Sequence, residues 1–164
     1  MRVVLATMAA LALNAAAFGP AGAVAPGFSD TICPEGTHYV LEVGKLRIDD
    51  SPERIYAAAH AAEQAYATCS SQKLSYGFRE AQHYADVRRA GFGVVAARAL
   101  IAMRRYDEAL QALERAVAID PAYVYAYQIR ATVHFDLASY AEALADLNRA
   151  TELAPRDEWN MSKR

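Results

Sequence analysis

The sequence contains few of the residues that build metal and redox sites. Its 164 residues include two cysteines, four histidines and one tryptophan, and the formal net charge is −2. No two histidines lie three or four residues apart, so no histidine pair on one helical face is available to bind a metal ion. The cysteines do not form a C-x-x-C motif, which argues against a redox function. We therefore predict no metal and no cofactor.

Motifs of other function classes are also missing. No segment carries a dense cluster of lysine and arginine, so binding to nucleic acid is not predicted. The serines lack a G-x-S-x-G context, and GFG at 91–93 is too short for a phosphate-binding loop. We predict no catalytic residues and a protein that is not an enzyme. An enzymatic alternative requires residues 24–50 to form a site together with the helices.

The first 23 residues have the order of a secretory signal peptide. Arg2 precedes an apolar stretch over 3–13, and small residues then lead to an A-x-A cleavage site at 21–23. Because the apolar stretch is short for a membrane span, stable membrane insertion is not predicted. We expect cleavage after Ala23, with Ala25 as a second option and an uncleaved anchor as the alternative. The predicted location is outside the cytoplasm, as a secreted protein of the periplasm.

The cysteine pair is expected to form a disulfide bond. Cys33 and Cys69 of a secreted chain enter an oxidising compartment, where an even number of cysteines favours pairing. Two free buried thiols are the alternative. The bond would attach the segment 24–50, which we expect to be irregular, with a short strand or an extended arm at 38–48. The helix breakers in this segment are Pro26, Gly27, Pro34, Gly36 and Gly44.

Residues 51–89 are predicted to form a pair of helices. The Ser-Pro dipeptide at 51–52 places an N-cap before a proline at the first helical position. The residues that recur at spacings of three and four, and so share one helical face, are Ile55, Ala58, Ala59, Ala62, Tyr66 and Cys69. We expect this helix to end near Ser71 and a second helix to cover 78–89, with a glycine-rich break at 91–93.

The rest of the chain contains a repeat of 34 residues. YDEALQALERAVAIDP at 106–121 and YAEALADLNRATELAP at 140–155 share one frame, and Pro121 and Pro155 end the two copies. The matching small and apolar positions are Ala97, Ala109, Leu113 and Ala116 in the first unit and Ala131, Ala143, Leu147 and Ala150 in the second. Each unit consists of a copy and the helical stretch before it, with short polar joints near Arg105-Tyr106 and Ser139-Tyr140, which predicts two helix hairpins.

This pattern resembles the tetratricopeptide repeat family, whose unit is a helix–turn–helix of the same period. The resemblance covers about 90–155 and implies an all-α fold of antiparallel helix hairpins. The hairpins would stack as a short right-handed solenoid of two repeat units, with the helix pair at 51–89 as a degenerate unit or cap. The alanines would allow close approach of the helices, and the prolines would end the second helix of each unit.

Four positions depart from the family's pattern. Gly93 and Ala96 stand where the first helix of a unit usually has a large residue. In the second unit Arg130 and His134 occupy places that are usually apolar or aromatic. We interpret His134 as a packing residue.

The resemblance also implies a concave groove that binds a protein segment. In repeats of this kind the first helices line the groove, and the positions that correspond are Val94, Arg98, Tyr125, Gln128 and Thr132. Tyrosine and arginine are suitable anchor residues for such a partner. Because Tyr123, Tyr125 and Tyr127 cannot share one helical face, we expect at least one of them to point away from the core.

Two functions are compatible with these features. The leading hypothesis is a non-catalytic scaffold or adaptor, outside the cytoplasm, that binds a protein partner in the groove. The alternative is self-association through the open end of the last unit, which would give a homo-oligomer. The tail at 156–164 contains Trp159, which either folds back over the last helices or belongs to a contact surface.

Overall fold

A computed structural model of the chain describes residues 33–47, 49–71 and 78–154. These residues form six α-helices and no strand, which confirms the predicted all-α class. The helices are α1 (Pro34–Gly44), α2 (Pro52–Ser71), α3 (Phe78–Ala102), α4 (Tyr106–Ile119), α5 (Val124–Asp136) and α6 (Tyr140–Leu153). The predicted signal peptide at 1–23, Pro155 and the tail at 156–164 lie outside the described residues.

The helices form a stack of hairpins. The first unit consists of α3 and α4, and the second unit consists of α5 and α6, in agreement with the joints predicted before Tyr106 and Tyr140. Helix α2 packs along α3, and α5 contacts both α4 and α3. Consequently α3 has neighbours on three sides, whereas among the described helices α6 has only α5 as an extensive neighbour.

The repeated small and apolar positions hold the two units together. All eight of them are buried: Ala97, Ala109, Leu113, Ala116, Ala131, Ala143, Leu147 and Ala150. Residues of both units share one core cluster, in which Leu113 of α4 is fully buried beside Ala126 and Ile129 of α5. The absence of bulk at the alanines allows the helix backbones to approach, while the leucine fills the remaining space. The pattern in the sequence is therefore a packing pattern.

Both hairpins turn through the same backbone conformation. Arg104 and Ala138, which are 34 residues apart, have φ angles of 60° and 58°. The following amides close the helix ends: Arg105 N–H donates to the Leu100 carbonyl at 2.9 Å, and Ser139 N–H donates to the His134 carbonyl at 2.8 Å. These bonds satisfy carbonyls that the last helical turn leaves without a partner. A left-handed residue thus reverses the chain in each unit, although neither residue is glycine.

The segment before α2 differs from the prediction. Residues 34–44 form helix α1, so the expectation of irregular structure, or of a strand or extended arm, is wrong for this stretch of the segment 24–50. Residues 24–32 of that segment lie outside the described residues. Pro34 occupies the first turn, where no backbone N–H is needed, and Cys33 Sγ accepts the Gly36 N–H at 3.3 Å. A β-carbon on Gly36 would lie 2.5 Å from Cys33 Sγ and 2.7 Å from the ring of Tyr66. This glycine therefore permits close packing within a helix and does not break it.

The predicted disulfide joins α1 to α2. Cys33 and Cys69 are buried, with an S–S distance of 2.01 Å and a sequence separation of 36 residues. For a loop of this size the chain-entropy model gives about 3–4 kcal/mol of stabilisation. Val43 and Leu46 complete a second core cluster together with Tyr66. Helix α1 is thus attached to the N-terminal end of the stack by both a covalent bond and apolar packing.

Helices α2 and α3 also revise the predicted helix pair. Ser51 Oγ accepts the Arg54 N–H at 3.3 Å, so the predicted N-cap of α2 is present. The predicted break at 91–93 is absent, because α3 runs without interruption over 25 residues. A glycine inside a helix costs about 1 kcal/mol relative to alanine, and this cost is outweighed when the helix packs on several neighbours. The expected helix at 78–89 is therefore the first part of the first repeat's own helix.

Candidate partner-binding site

The candidate groove lies between α3 and α5 and is centred on an arginine and a tyrosine. The guanidinium carbon of Arg98 lies 6.0 Å from the ring centroid of Tyr125, at the outer limit of a cation–π contact. Both side chains are partly exposed. Arg98 makes no ion pair with any residue in the part of the chain that the structure describes. Its positive charge is therefore free to meet a group of another molecule.

Tyr123 supports this pair from the start of α5. Its ring packs against the core cluster, as does that of Tyr125. Burial, with a smaller contribution from the nearby Tyr125 and Asp120, raises the pKa of Tyr123 to about 12, while Arg98 acts in the opposite direction. Tyr123 is therefore a neutral phenol at ordinary pH and adds no negative charge beside Arg98.

Tyr127 turns to a different side of α5. Its ring is buried beneath the guanidinium of Arg130, at 5.5 Å from the ring centroid, and its hydroxyl donates to the Pro121 carbonyl at 3.2 Å. Of the three alternating tyrosines, Tyr127 is buried, whereas Tyr123 and Tyr125 are partly exposed. The groove accordingly displays Tyr125 as a partly covered ring.

Two of the five groove candidates are inaccessible. Val94 is 1% exposed and belongs to the core cluster, and Gln128 is 5% exposed. The prediction that these two residues face a partner is wrong, because α3 and α5 are covered on more sides than the position in the repeat suggests. Thr132 is partly exposed, and its hydroxyl donates to the Gln128 carbonyl at 3.1 Å. The accessible candidates are therefore Arg98, Tyr125 and Thr132.

A polar contact inside the second unit explains the unusual residues of α5. Arg130 donates to both carboxylate oxygens of Asp146 on α6, at 2.8 and 2.6 Å, and His134 Nε2 lies 4.0 Å from the same carboxylate. The hydrogen bonds that Arg130 donates to Asp146 raise the pKa of Arg130. Arg130 and His134 were predicted as departures from the family's pattern, whereas Asp146 was not predicted. The sequence signal for Asp146 is an acid between Ala143 and Leu147 on the buried face of α6.

A second buried acid lies where α2 meets the first unit. Glu63 is 3% exposed, and its carboxylate is 3.7 Å from both His60 Nδ1 and Arg115 Nε. A β-carbon on Gly93 would lie 3.8 Å from the Glu63 carboxyl carbon and 3.7 Å from the Ala116 β-carbon. The Glu63 side chain of α2 thus occupies the space beside Gly93. The described residues contain no group of metal-ligating side chains large enough to hold an ion.

These features define a stack of helix hairpins in which Arg98 and Tyr125 are partly exposed between α3 and α5. Residues 100–163 match the family model for the tetratricopeptide repeat, so this part of the chain has the sequence pattern of that family. No curated protein and no solved structure matches the chain significantly. Tetratricopeptide repeats generally mediate protein–protein interactions and typically act as scaffolds without catalysis. None of the described helices combines the length and the apolar character that a membrane span requires.

Proposed function

We propose that the protein is a non-catalytic scaffold or adaptor that binds a segment of a partner protein in the groove between α3 and α5. The observation that carries this proposal is the Arg98–Tyr125 pair, a half-exposed cation beside an aromatic ring. Arginine and tyrosine are frequent anchors at protein interfaces. Among the residues that the structure describes, none forms an ion pair with Arg98 that a partner would have to displace. A partner segment would place a carbonyl or carboxylate group against the guanidinium and pack an apolar group on the ring.

We further propose that the scaffold acts outside the cytoplasm, in the periplasm. The order of residues in 1–23 supports this location, as does the buried disulfide between Cys33 and Cys69. Disulfides persist in oxidising compartments and are rare in the cytosol. The mechanism needs no cofactor, because a preformed surface binds its partner by shape and charge alone.

A crosslinking experiment in the native cells tests both parts of the proposal. Tagged wild-type chain is crosslinked, recovered from the periplasmic fraction and analysed by mass spectrometry beside the variants Arg98→Glu and Tyr125→Ala. The control is Arg104→Glu, which reverses the charge of an exposed arginine at the tip of the first hairpin. We expect the partner to be lost with Arg98→Glu, weakened with Tyr125→Ala and retained with Arg104→Glu.

The two parts fail in different ways. Equal recovery of the partner by folded Arg98→Glu and by wild type would refute the groove. Retention of the chain in the cytoplasmic fraction would refute the location and leave the groove untouched. Circular dichroism of each purified variant shows whether it is folded.

A further inference from the structure

Large apolar side chains are exposed at the end of the second unit. Phe135, Leu137, Tyr140 and Leu144 are 63%, 42%, 62% and 51% exposed. The rings of Phe135 and Tyr140 lie edge to face across the turn between α5 and α6, with centroids 5.5 Å apart. Leu137 lies in that turn, and Leu144 lies one helical turn after Tyr140. We call these four residues the open-end face. Exposed apolar patches of this kind mark sites of association on soluble proteins.

The first unit shows what normally covers this face. A shift of 34 residues places Ile101, Met103, Tyr106 and Leu110 at the same four positions. Ile101 is 6% exposed, and the other three pack against the core cluster. Helix α5 of the next unit contributes Ala126, Ile129 and Val133 to that cluster. The open-end face is therefore the continuation of the interface that joins the two units.

The four side chains of the open-end face are uncharged, and small residues lie beside them, as does the exposed acid Asp136 between Phe135 and Leu137. Ala138, Ala141 and Ala145 are exposed beside the face, which allows another helix to approach closely. The four large side chains expose roughly 400 Å² in total, about half of what each partner contributes to a standard interface. The four large side chains carry no charge, so packing them against their copies brings no like charges together among those four side chains.

We propose that the open-end face of one chain packs against the open-end face of a second copy of this chain. The result is a two-fold symmetric dimer, the commonest arrangement among homo-oligomers. Because the area per copy is small, the dimer is weak and forms as the concentration rises. The contact uses neither Arg98 nor Tyr125, so this inference is independent of the groove and survives if the groove is refuted.

Sedimentation equilibrium over a range of concentrations tests the dimer with matched serine variants. Leu144→Ser and Phe135→Ser/Leu144→Ser alter the open-end face, while Leu41→Ser removes a leucine on α1 that is 61% exposed. We expect the wild-type mass to rise from monomer to dimer with concentration. The double variant should raise the dissociation constant by about tenfold or more, since two interface side chains are truncated. Leu41→Ser should leave it unchanged.

Three results would overturn the proposal. They are a monomeric wild-type mass at every concentration, a dimer that the double variant does not weaken, and a dimer weakened equally by Leu41→Ser. A monomer that instead captures a different protein through Phe135 and Leu144 would assign the face to a heterologous partner. All substituted residues are exposed, and far-ultraviolet circular dichroism checks that the helices are retained.

Discussion

The turn at Ala138 gives the sharpest test of the backbone geometry. Ala138 has a φ of 58°, and its side chain is exposed, so replacing it with glycine removes no buried contact. An L-residue in this conformation costs about 1–2 kcal/mol, which glycine does not incur. Glycine in turn loses about 0.5–1 kcal/mol through the greater freedom of the unfolded chain. The balance predicts that Ala138→Gly increases the free energy of unfolding by about 0.5–1 kcal/mol.

The assay compares two alanine-to-glycine changes that differ only in backbone conformation. Ala145 is exposed in the middle of α6, where Ala145→Gly should lower the free energy of unfolding by about 1 kcal/mol. For a chain of this size 1 kcal/mol corresponds to a Tm shift of roughly 2–4 °C. Thermal and urea unfolding of the two variants should therefore give shifts of opposite sign.

A decrease in Tm for Ala138→Gly, comparable with that for Ala145→Gly, would show that residue 138 is not left-handed. Because Arg104 occupies the same position of the first hairpin, that result would refute the shared turn as well. If Ala138→Gly raises the Tm and Ala145→Gly lowers it, the difference in backbone conformation between the two residues explains the opposite signs.

Two further predictions concern polar groups of the second unit, Asp146 on α6 and Tyr123 at the start of α5. Asp146→Asn should destabilise the fold by about 1–3 kcal/mol, because the half-buried Arg130 then keeps its charge without the carboxylate. As a control, Asp136→Asn on the surface should change the free energy of unfolding by less than about 0.5 kcal/mol. Burial raises the pKa of Tyr123 to about 12, so the unfolded chain loses this proton first as the pH rises above about 10. Stability should therefore fall between about pH 10 and 12, by up to roughly 2–3 kcal/mol, and Tyr123→Phe should remove that part of the slope.

A double-mutant cycle and an alkaline titration provide the decisive measurements. If Arg130→Met and Asp146→Asn give additive changes in urea unfolding, the two side chains do not interact and the ion pair is wrong. If the stability of Tyr123→Phe falls between pH 10 and 12 as steeply as that of wild type, Tyr123 is not the group responsible. The ultraviolet absorbance of tyrosinate follows the same titration directly.

The second half of the fold was predictable because its constraint is local and repeated. The small positions Ala109 and Ala143 face another helix in equivalent places, so the same residue type recurs at a fixed distance. Helices α4 and α6 begin at the predicted joints for the same reason. Helix propensity and the repeat period were sufficient to predict these helices, since each helix of a repeat packs chiefly on its neighbours in the stack.

The first half was not predictable in the same way, because the structural role of a glycine or a proline depends on its position in a helix and on the side chains that pack against it. Pro34 opens a helix, Gly36 makes room for Tyr66 and the disulfide, and Gly93 lies inside the long helix α3. The roles of Gly36 and Gly93 depend on side chains distant in sequence, Tyr66 and Glu63 respectively. The same limitation applies to the groove, where Val94 is buried through the combined presence of α2, α4 and α5.

The two units depart from the family's pattern for a common physical reason. Beside Gly93 the missing bulk is replaced by Glu63 of α2, and beside Arg130 the missing apolar group is replaced by an ion pair with Asp146. Buried acids add little net stability, because removing a carboxylate from water offsets much of the attraction. Each acid nevertheless meets its cation in only one alignment of the helices. Misaligned packing would leave a buried charge unpaired, so these contacts select the correct arrangement of helices more than they strengthen it.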